Sequence, residues 1–174
     1  MPASLVHDAG PEAEVAWAEF DSPLGRLVLA ATTRGLARLA YADQSVEPRD
    51  RARPAGGQAA RHLEAACREL GEYFAGDRRR FDVDLDLPLT PGFRSRVLAA
   101  TAAIPYGTTA TYGDVAAGAG NGRAVRAAGS ALRTNPVPIV VPCHRVVRSG
   151  GAVGSYAGGP GRKLELLRLE GAVQ

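Results

Sequence analysis

Between residues 14 and 41 the chain passes through three short apolar-rich segments, EVAWAEF, GRLVLAAT and GLARLAY, parted by DSPLG and TTRG. Runs of this length with turn-forming residues between them predict an antiparallel meander. EPRDRARPAGG, at 47–57, is charged and broken by Pro and Gly, so it reads as a loop. Leu63, Ala66, Cys67, Leu70, Tyr73 and Phe74 then recur at helical spacing, which predicts an amphipathic helix over 58–75. Cys67 lies on its apolar stripe, where a buried, inert thiol is expected. FDVDLDL, at 81–87, alternates strictly and predicts a strand with Asp82, Asp84 and Asp86 on its wet side.

The pattern changes at LTPGF. Thr90 as N-cap and Pro91 in the first turn predict a helix over about 91–103, ended by the turn IPYG. Thr111 is placed to cap a short helix, YGDVAAG; AGNG makes a turn, and GRAVRAAGSALRT forms a further helix. Two short helices joined by a Gly-containing turn are a helix-turn-helix arrangement. On a wheel started at Arg123, Arg126, Ser130 and Arg133 fall between about 280° and 340°, and Ala124, Ala127, Ala128, Ala131 and Leu132 between about 40° and 180°. An arginine edge on a slim helix suits either a solvated face or close approach to DNA. Small side chains fit a minor-groove helix better than a major-groove reader, which carries longer polar groups. Ile139, Val140 and Val141 read as a buried strand running into Pro142-Cys143-His144-Arg145. The elements together predict an α+β chain in two domains. An N-terminal antiparallel sheet with a helix spans 14–88, a helical domain with the helix-turn-helix spans 89–174, and residues 1–13 are a flexible tail.

Composition narrows the partners. At 174 residues, 45% apolar and 22% charged, the chain is that of a folded protein. No apolar run approaches the ~20 residues of a spanning helix, so no membrane role is expected. The N-terminus lacks the pattern of a secretory signal. Two distant cysteines, with no CxxC pair, suit a reducing cytoplasm. Residues 1–90 hold 11 Arg against 15 Asp and Glu, a balance of −4, whereas residues 91–174 hold 10 Arg and Lys against 3 acids, a balance of +7. A polyanion would choose the second half. Lys163 is the only lysine; codon bias in a GC-rich genome accounts for most of that preference for arginine, but not for the asymmetry.

A cysteine emerging at a strand end beside a histidine can be a thiolate nucleophile with its base. The dipeptide alone is equally a core cysteine next to a surface histidine. Neighbouring residues on a strand point to opposite faces, so His144 reaches Cys143 only if Pro142 bends the chain or a water intervenes.

The longer pattern is more specific. NPVPIVVPCHRVV, then GAVGSYAGG, then KLELLRLEG, resembles the O6-alkylguanine-DNA alkyltransferase family. FRSRVLAATAAIPYGTTATYGDVA and GRAVRAAGSALRTNP resemble its helix, turn, arginine-finger and asparagine-hinge segments, and DSPLG with EYFAG…FDVDL extends the likeness to about 14–171. The resemblance implies a ribonuclease H-like roll followed by a winged-helix-like domain. It also implies a single irreversible transfer of an alkyl group from O6-alkylguanine, with O4-alkylthymine left open, to the protein's own cysteine, without cofactor or metal. Cys143 would be the acceptor, His144 its base through a water, Glu170 the group orienting His144, and Asn135 the brace of the turn. Tyr112 would turn the nucleotide's phosphate and protonate the leaving guanine. Arg126 would fill the gap left by the flipped base, and Arg94, Arg123, Ala124, Ala127, Ser130 and Arg133 would share the DNA surface. Pro138, Val146, Ser155, Tyr156, Ala157 and Gly158 would form the base pocket.

The chain departs from the family's pattern at Val97-Leu98, at RAAGSA and at Ala157, none of which touches the implied relay. The implied partner is double-stranded DNA carrying alkylated guanine, approached through the minor groove by a monomer, with cooperativity on DNA open. Three readings compete: a lesion binder that does not transfer, a helix-turn-helix regulator, and a thiol hydrolase on Cys143 and His144 that would leave the basic half and the helix-turn-helix without purpose. Cys143 with His144 and Glu170 argues against the first. The Ala, Gly and Ser of the second helix, poor readers of base edges, argue against the second.

Overall fold

Apolar residues two apart along the first segments build a three-stranded antiparallel sheet in the order β1 (Ala16–Ser22), β2 (Gly25–Thr32), β3 (Gly35–Tyr41). In this computed structural model residues 15–44 and 57–174 are described. The expected tail and nearly all of the 47–57 loop lie outside them. Leu27, Leu29, Leu36, Leu39 and Tyr41 are buried, and helix α1 (Gly57–Ala75) lays Leu63, Ala66, Leu70 and Tyr73 into the same core. Cys67 is half-buried on that helix, and burial pushes its thiol up.

The segment 81–87 does not form the expected strand. It makes one parallel bridge, Leu36 to Leu85, closed by the Leu36 amide on the Asp84 carbonyl (2.8 Å) and the Asp86 amide on the Leu36 carbonyl (3.0 Å). Of its carboxylates, Asp82 and Asp84 are exposed as expected, and Asp86 is not. Asp86 turns in to accept from Thr32 and Arg34, and Asp82 pairs with Arg78. These side-chain pairs hold the segment where a ladder was expected. The contact leaves no space at Gly35 (φ 156°), where a Cβ would sit 2.5 Å from the Asp84 carbonyl oxygen. Gly35→Ala must push two backbones apart. It should cost about 2 kcal/mol or more, read as a lower midpoint in urea unfolding; an unchanged midpoint would contradict this packing.

The chain divides between Pro88 and Leu89 into two compact units. The second begins with α2 (Phe93–Ala102), two residues later than Thr90-Pro91 suggested. Gly92 is extended there, and Ser95 both accepts its amide (3.2 Å) and donates to its carbonyl (2.8 Å), so serine rather than threonine closes the first turn. After β4 (Ala110–Thr111), helix α3 (Tyr112–Gly118) starts on a reciprocal cap. The Thr111 hydroxyl accepts from the Asp114 amide and the Asp114 carboxylate accepts from the Thr111 amide. Helix α4 (Val125–Arg133) buries Ala128, Ala131 and Leu132, leaving Arg126, Ala127 and Ser130 exposed. Ala127 therefore departs from the apolar side assigned to it. Ala124 is the N-cap and Arg123 precedes the helix. Two arginines of α2 close the pair: Arg94 donates to the Thr134 carbonyl past α4 (2.7 Å), and Arg96 to the Ala119 carbonyl past α3 (2.8 Å). Cations on the unsatisfied carbonyls of helix C-termini are doubly favoured.

The second unit closes with β5 (Val146–Val147), paired in parallel with β4, and α5 (Pro160–Leu169). Helix α5 enters from Gly159 with Pro160 in its first turn. Its buried stripe is Lys163, Leu166, Leu167, continued by Glu170 at the C-cap. Spacing of three, four and seven puts all four on one face, so that face carries a cation at one end and a carboxylate at the other.

Candidate active site

The expected strand at 139–141 is a turn. Asn135, itself buried, ties it from within: its side-chain amide donates to the Val141 carbonyl (2.8 Å) and its oxygen accepts the Val137 amide (3.1 Å). The Val141 amide reaches back to the Val137 carbonyl (2.9 Å), and Ile139 is forced to φ 76°. A β-branched residue in the left-handed region costs about 1–3 kcal/mol, a cost that the Asn135 bonds and the burial of Val137, Ile139 and Val141 offset. The chain leaves this turn through Pro142 into a 3₁₀ turn, Cys143–Arg145. Cys143 is thus buried at 5% exposure rather than set at a strand end.

His144 and Arg145 both turn to Glu170. The Nε2 of His144 lies 2.7 Å from one carboxylate oxygen. Arg145 forks onto both, Nε at 2.9 Å and Nη2 at 3.0 Å, and its Nη1 donates to the Ile104 carbonyl (2.6 Å). All three side chains are buried. Burial alone would raise the Glu170 carboxyl, but hydrogen bonds and charge from His144 and Arg145 overcome it and hold the group at about 2. Burial lowers His144, against the pull of Glu170. Imidazole is therefore neutral against an ionised carboxylate. Its proton sits on Nε2, facing Glu170, and Nδ1 carries a lone pair. Among the described residues, that Nδ1 is the buried side-chain polar atom with no hydrogen-bond partner.

A cavity of about 130 Å³ opens beside the thiol, lined by Tyr112, Gly129, Leu132, Arg133, Cys143, Ser155, Tyr156 and Ala157. The Tyr156 ring stands edge-on to the His144 imidazole, centroids 6.3 Å apart. Tyr112 points its hydroxyl toward the Ser155 carbonyl (3.4 Å), and burial raises its phenol, so it stays protonated. Burial likewise pushes the Cys143 thiol up to about 11, against an Asn135 hydrogen bond and the charge of Lys163.

Of the residues the sequence singled out, Cys143, Tyr112, Arg133, Ser155, Tyr156 and Ala157 meet at this cavity, with His144, Glu170 and Asn135 behind it. Pro138, Val146 and Gly158 do not line it. Pro138 belongs to the buried turn, Val146 offers its carbonyl to Lys163, and Gly158 offers its carbonyl to Arg162. Arg126 and Arg123 are exposed on or before α4, and Arg94 is engaged at Thr134. Sequence reasoning missed Arg145 and Lys163. Arg145 follows the Cys-His pair directly, where no local pattern assigns it a role. A lysine on the same stripe as Leu166 and Leu167 was the available signal for Lys163.

A buried cysteine beside a histidine tied to a carboxylate, on a unit that also carries a helix-turn-helix, sets a candidate thiol nucleophile on a nucleic-acid-binding frame. Residues 92–172 match the 6-O-methylguanine DNA methyltransferase DNA binding domain and residues 15–87 its ribonuclease-like domain. The chain is 43% identical over 150 residues, 86% of this chain and 88% of the relative, to the methylated-DNA–protein-cysteine methyltransferase of Mycolicibacterium paratuberculosis. The crystal structure of Mycobacterium tuberculosis O6-methylguanine methyltransferase superposes with a TM-score of 0.79 at 40% identity, covering 91% of this chain and 94% of that one. The Mycobacterium tuberculosis OGT in complex with DNA gives 0.79 at 39%, covering 90% and 93%. The chain belongs to the 6-O-methylguanine DNA methyltransferase family.

Proposed function

We propose that this protein repairs DNA by direct reversal, transferring the alkyl group of O6-alkylguanine to its own Cys143 in one irreversible turnover. The observation that carries the reading is the buried Cys143 at a cavity, backed by a neutral His144 whose Nε2 is held by Glu170 at 2.7 Å. A water between Sγ and the lone pair of Nδ1 would satisfy that buried atom and relay the thiol proton to the imidazole. The thiolate then attacks the alkyl carbon. A carbon–sulfur bond forms, the carbon–O6 bond breaks, and the guanine leaves with a proton supplied from the Tyr112 hydroxyl, which regains one from water as the imidazolium gives up the thiol's proton. Glu170, clamped by Arg145, stabilises the imidazolium. The thioether has no route back to thiol, so each chain acts once.

The lesion lies inside the duplex, so the base must leave the stack at a cost of about a few kcal/mol. Phosphate contacts from the +7 half offset that cost without reading sequence. Arg126, exposed on α4 among alanines, fills the gap from the minor groove. The Arg126→Ala variant should therefore transfer from a duplex at least about tenfold more slowly and from a single-stranded lesion oligonucleotide at nearly the parental rate. Equal losses on both would remove the finger role. Two free thiols suit a reducing cytoplasm. The chain would act there as a monomer.

The activity is tested by titrating labelled O6-methylguanine duplex into the protein with no cofactor added. Label in protein should plateau at one methyl per chain. Continued turnover, or release of label as a small molecule, would sink the reading. A lesion binder without transfer would leave the label in DNA.

A further inference from the structure

The side chains of Tyr112 and Arg148 close on one bare stretch of backbone. Gly154 holds φ 71°, and a Cβ placed there would sit 3.3 Å from the Tyr112 hydroxyl oxygen and 3.5 Å from Cγ of Arg148. Glycine at 154 thus lets the phenol tip and the arginine stem approach the same point. Arg148 is set there by its own backbone. Its amide donates to the Ala152 carbonyl (2.9 Å) and its carbonyl accepts the Gly151 amide (3.0 Å), closing a tight turn directly after β5. Val146 and Val147 are buried, whereas residues 148–152 are all exposed.

Other arginines of this unit are engaged: Arg94 and Arg96 past helix ends, Arg145 on Glu170, Arg168 on Glu165. The Arg148 guanidinium has neither a hydrogen bond nor an ion pair among the described residues. Burial raises the neighbouring Tyr112 phenol, and the Arg148 charge pulls against it. Tyr112 lines the cavity and Arg148 does not, which sets the guanidinium outside it, next to a lining residue. A nucleotide whose base enters the cavity keeps its phosphates outside. The two groups beside Gly154 are a protonated phenol and a guanidinium, both hydrogen-bond donors and together carrying one positive charge. Their complement is a ligand of acceptor oxygens with one negative charge, which is a phosphodiester.

Resting on the proposed function, in which the alkylated base enters this cavity, we infer that Arg148 binds a phosphodiester flanking the flipped nucleotide, with the Tyr112 hydroxyl beside it. Its part differs from that of Arg126. The finger replaces the base within the stack, whereas Arg148 holds the strand from which the base has swung out. The contact reads no sequence. It forms fully only when the nucleotide is everted, so it favours lesion-bearing duplex over undamaged duplex.

Binding is measured in the Cys143→Ala background, so that no transfer intervenes, on a duplex bearing one O6-methylguanine and on the undamaged duplex. Arg148→Ala should weaken lesion binding roughly tenfold and lower the slope of log affinity against log salt by about one. Affinity for the undamaged duplex should change by less than about twofold. Arg148→Lys should keep the slope but not the full affinity, because a point charge replaces the planar fork. The phosphate is located by exchanging single phosphates around the lesion for neutral methylphosphonates. One exchange should cost the Arg148 protein as much as Arg148→Ala does, and cost Arg148→Ala nothing further. The side chain is exposed and unbonded, so both variants should keep the parental urea midpoint. An unchanged salt slope, equal losses on lesion and undamaged duplex, or additive losses at every phosphate would overturn the inference. None of those results touches the transfer reading, which stands or falls on methyl uptake by the parental chain.

Discussion

Cys143→Ala should bind a lesion-bearing duplex with nearly the parental affinity and transfer nothing. The thiol is buried at 5% exposure, and its side chain is small, so its loss leaves a cavity of little more than one sulfur. A cost of about 1 kcal/mol is expected. The exposed arginines on and around α4 are untouched. Transfer is lost entirely because the acceptor atom is gone; the other cysteine, Cys67, belongs to α1 of the first unit. Gel-shift affinity together with a label-transfer assay separates the two effects. Residual transfer, or a chain that no longer folds, would contradict a purely chemical role for Cys143.

The second large effect is at Glu170. Its carboxylate is the shared partner of two buried side chains, His144 and Arg145. Glu170→Gln leaves the Arg145 guanidinium buried without its anion, which costs about 3–5 kcal/mol, and lets the imidazole lose its fixed tautomer. We expect a large fall in urea midpoint at pH 7 and transfer slowed by orders of magnitude. The loss should depend on pH in a definite sense. The folded carboxyl sits near 2 against an ordinary 4.5, so the folded state binds fewer protons than the unfolded one in that window. Its contribution, about 3 kcal/mol, is complete above 4.5 and is lost as pH falls toward 2. The stability gap between parent and Glu170→Gln should therefore narrow over that range. His144 adds an earlier loss: burial lowers it below 6.5, so the unfolded state takes its proton first and the parent weakens as pH drops through 6.5. A gap constant from pH 7 to pH 3 would show that the carboxylate is not what holds the cluster.

Local chemistry made much of the frame legible. Meander, amphipathic helix and the Thr111 cap follow from period, turn residues and side-chain donors acting within a few positions. Where long-range pairs compete, the local pattern fails. The 81–87 segment alternates as a strand should, but Asp86 and Asp82 are drawn to Arg34 and Arg78. Ile139-Val140-Val141 has the composition of a buried strand, yet Asn135 closes it into a turn with two bonds that apolar patterning cannot encode. Around Cys143, the grouping of His144 with Glu170 was accessible only through the family resemblance, since they lie far apart in sequence and periodicity says nothing of their meeting. The roles of Arg145 and Lys163 needed the packed structure, because a cation buried against carbonyls or a carboxylate looks in sequence like any surface base.

The most direct test of the central claim is the intact mass of the protein after incubation with a duplex carrying a single O6-methylguanine, followed by peptide mapping. The account predicts one added methyl per chain, carried by the peptide containing Cys143, with the DNA restored to guanine. An unchanged mass alongside tight, lesion-selective binding would contradict it.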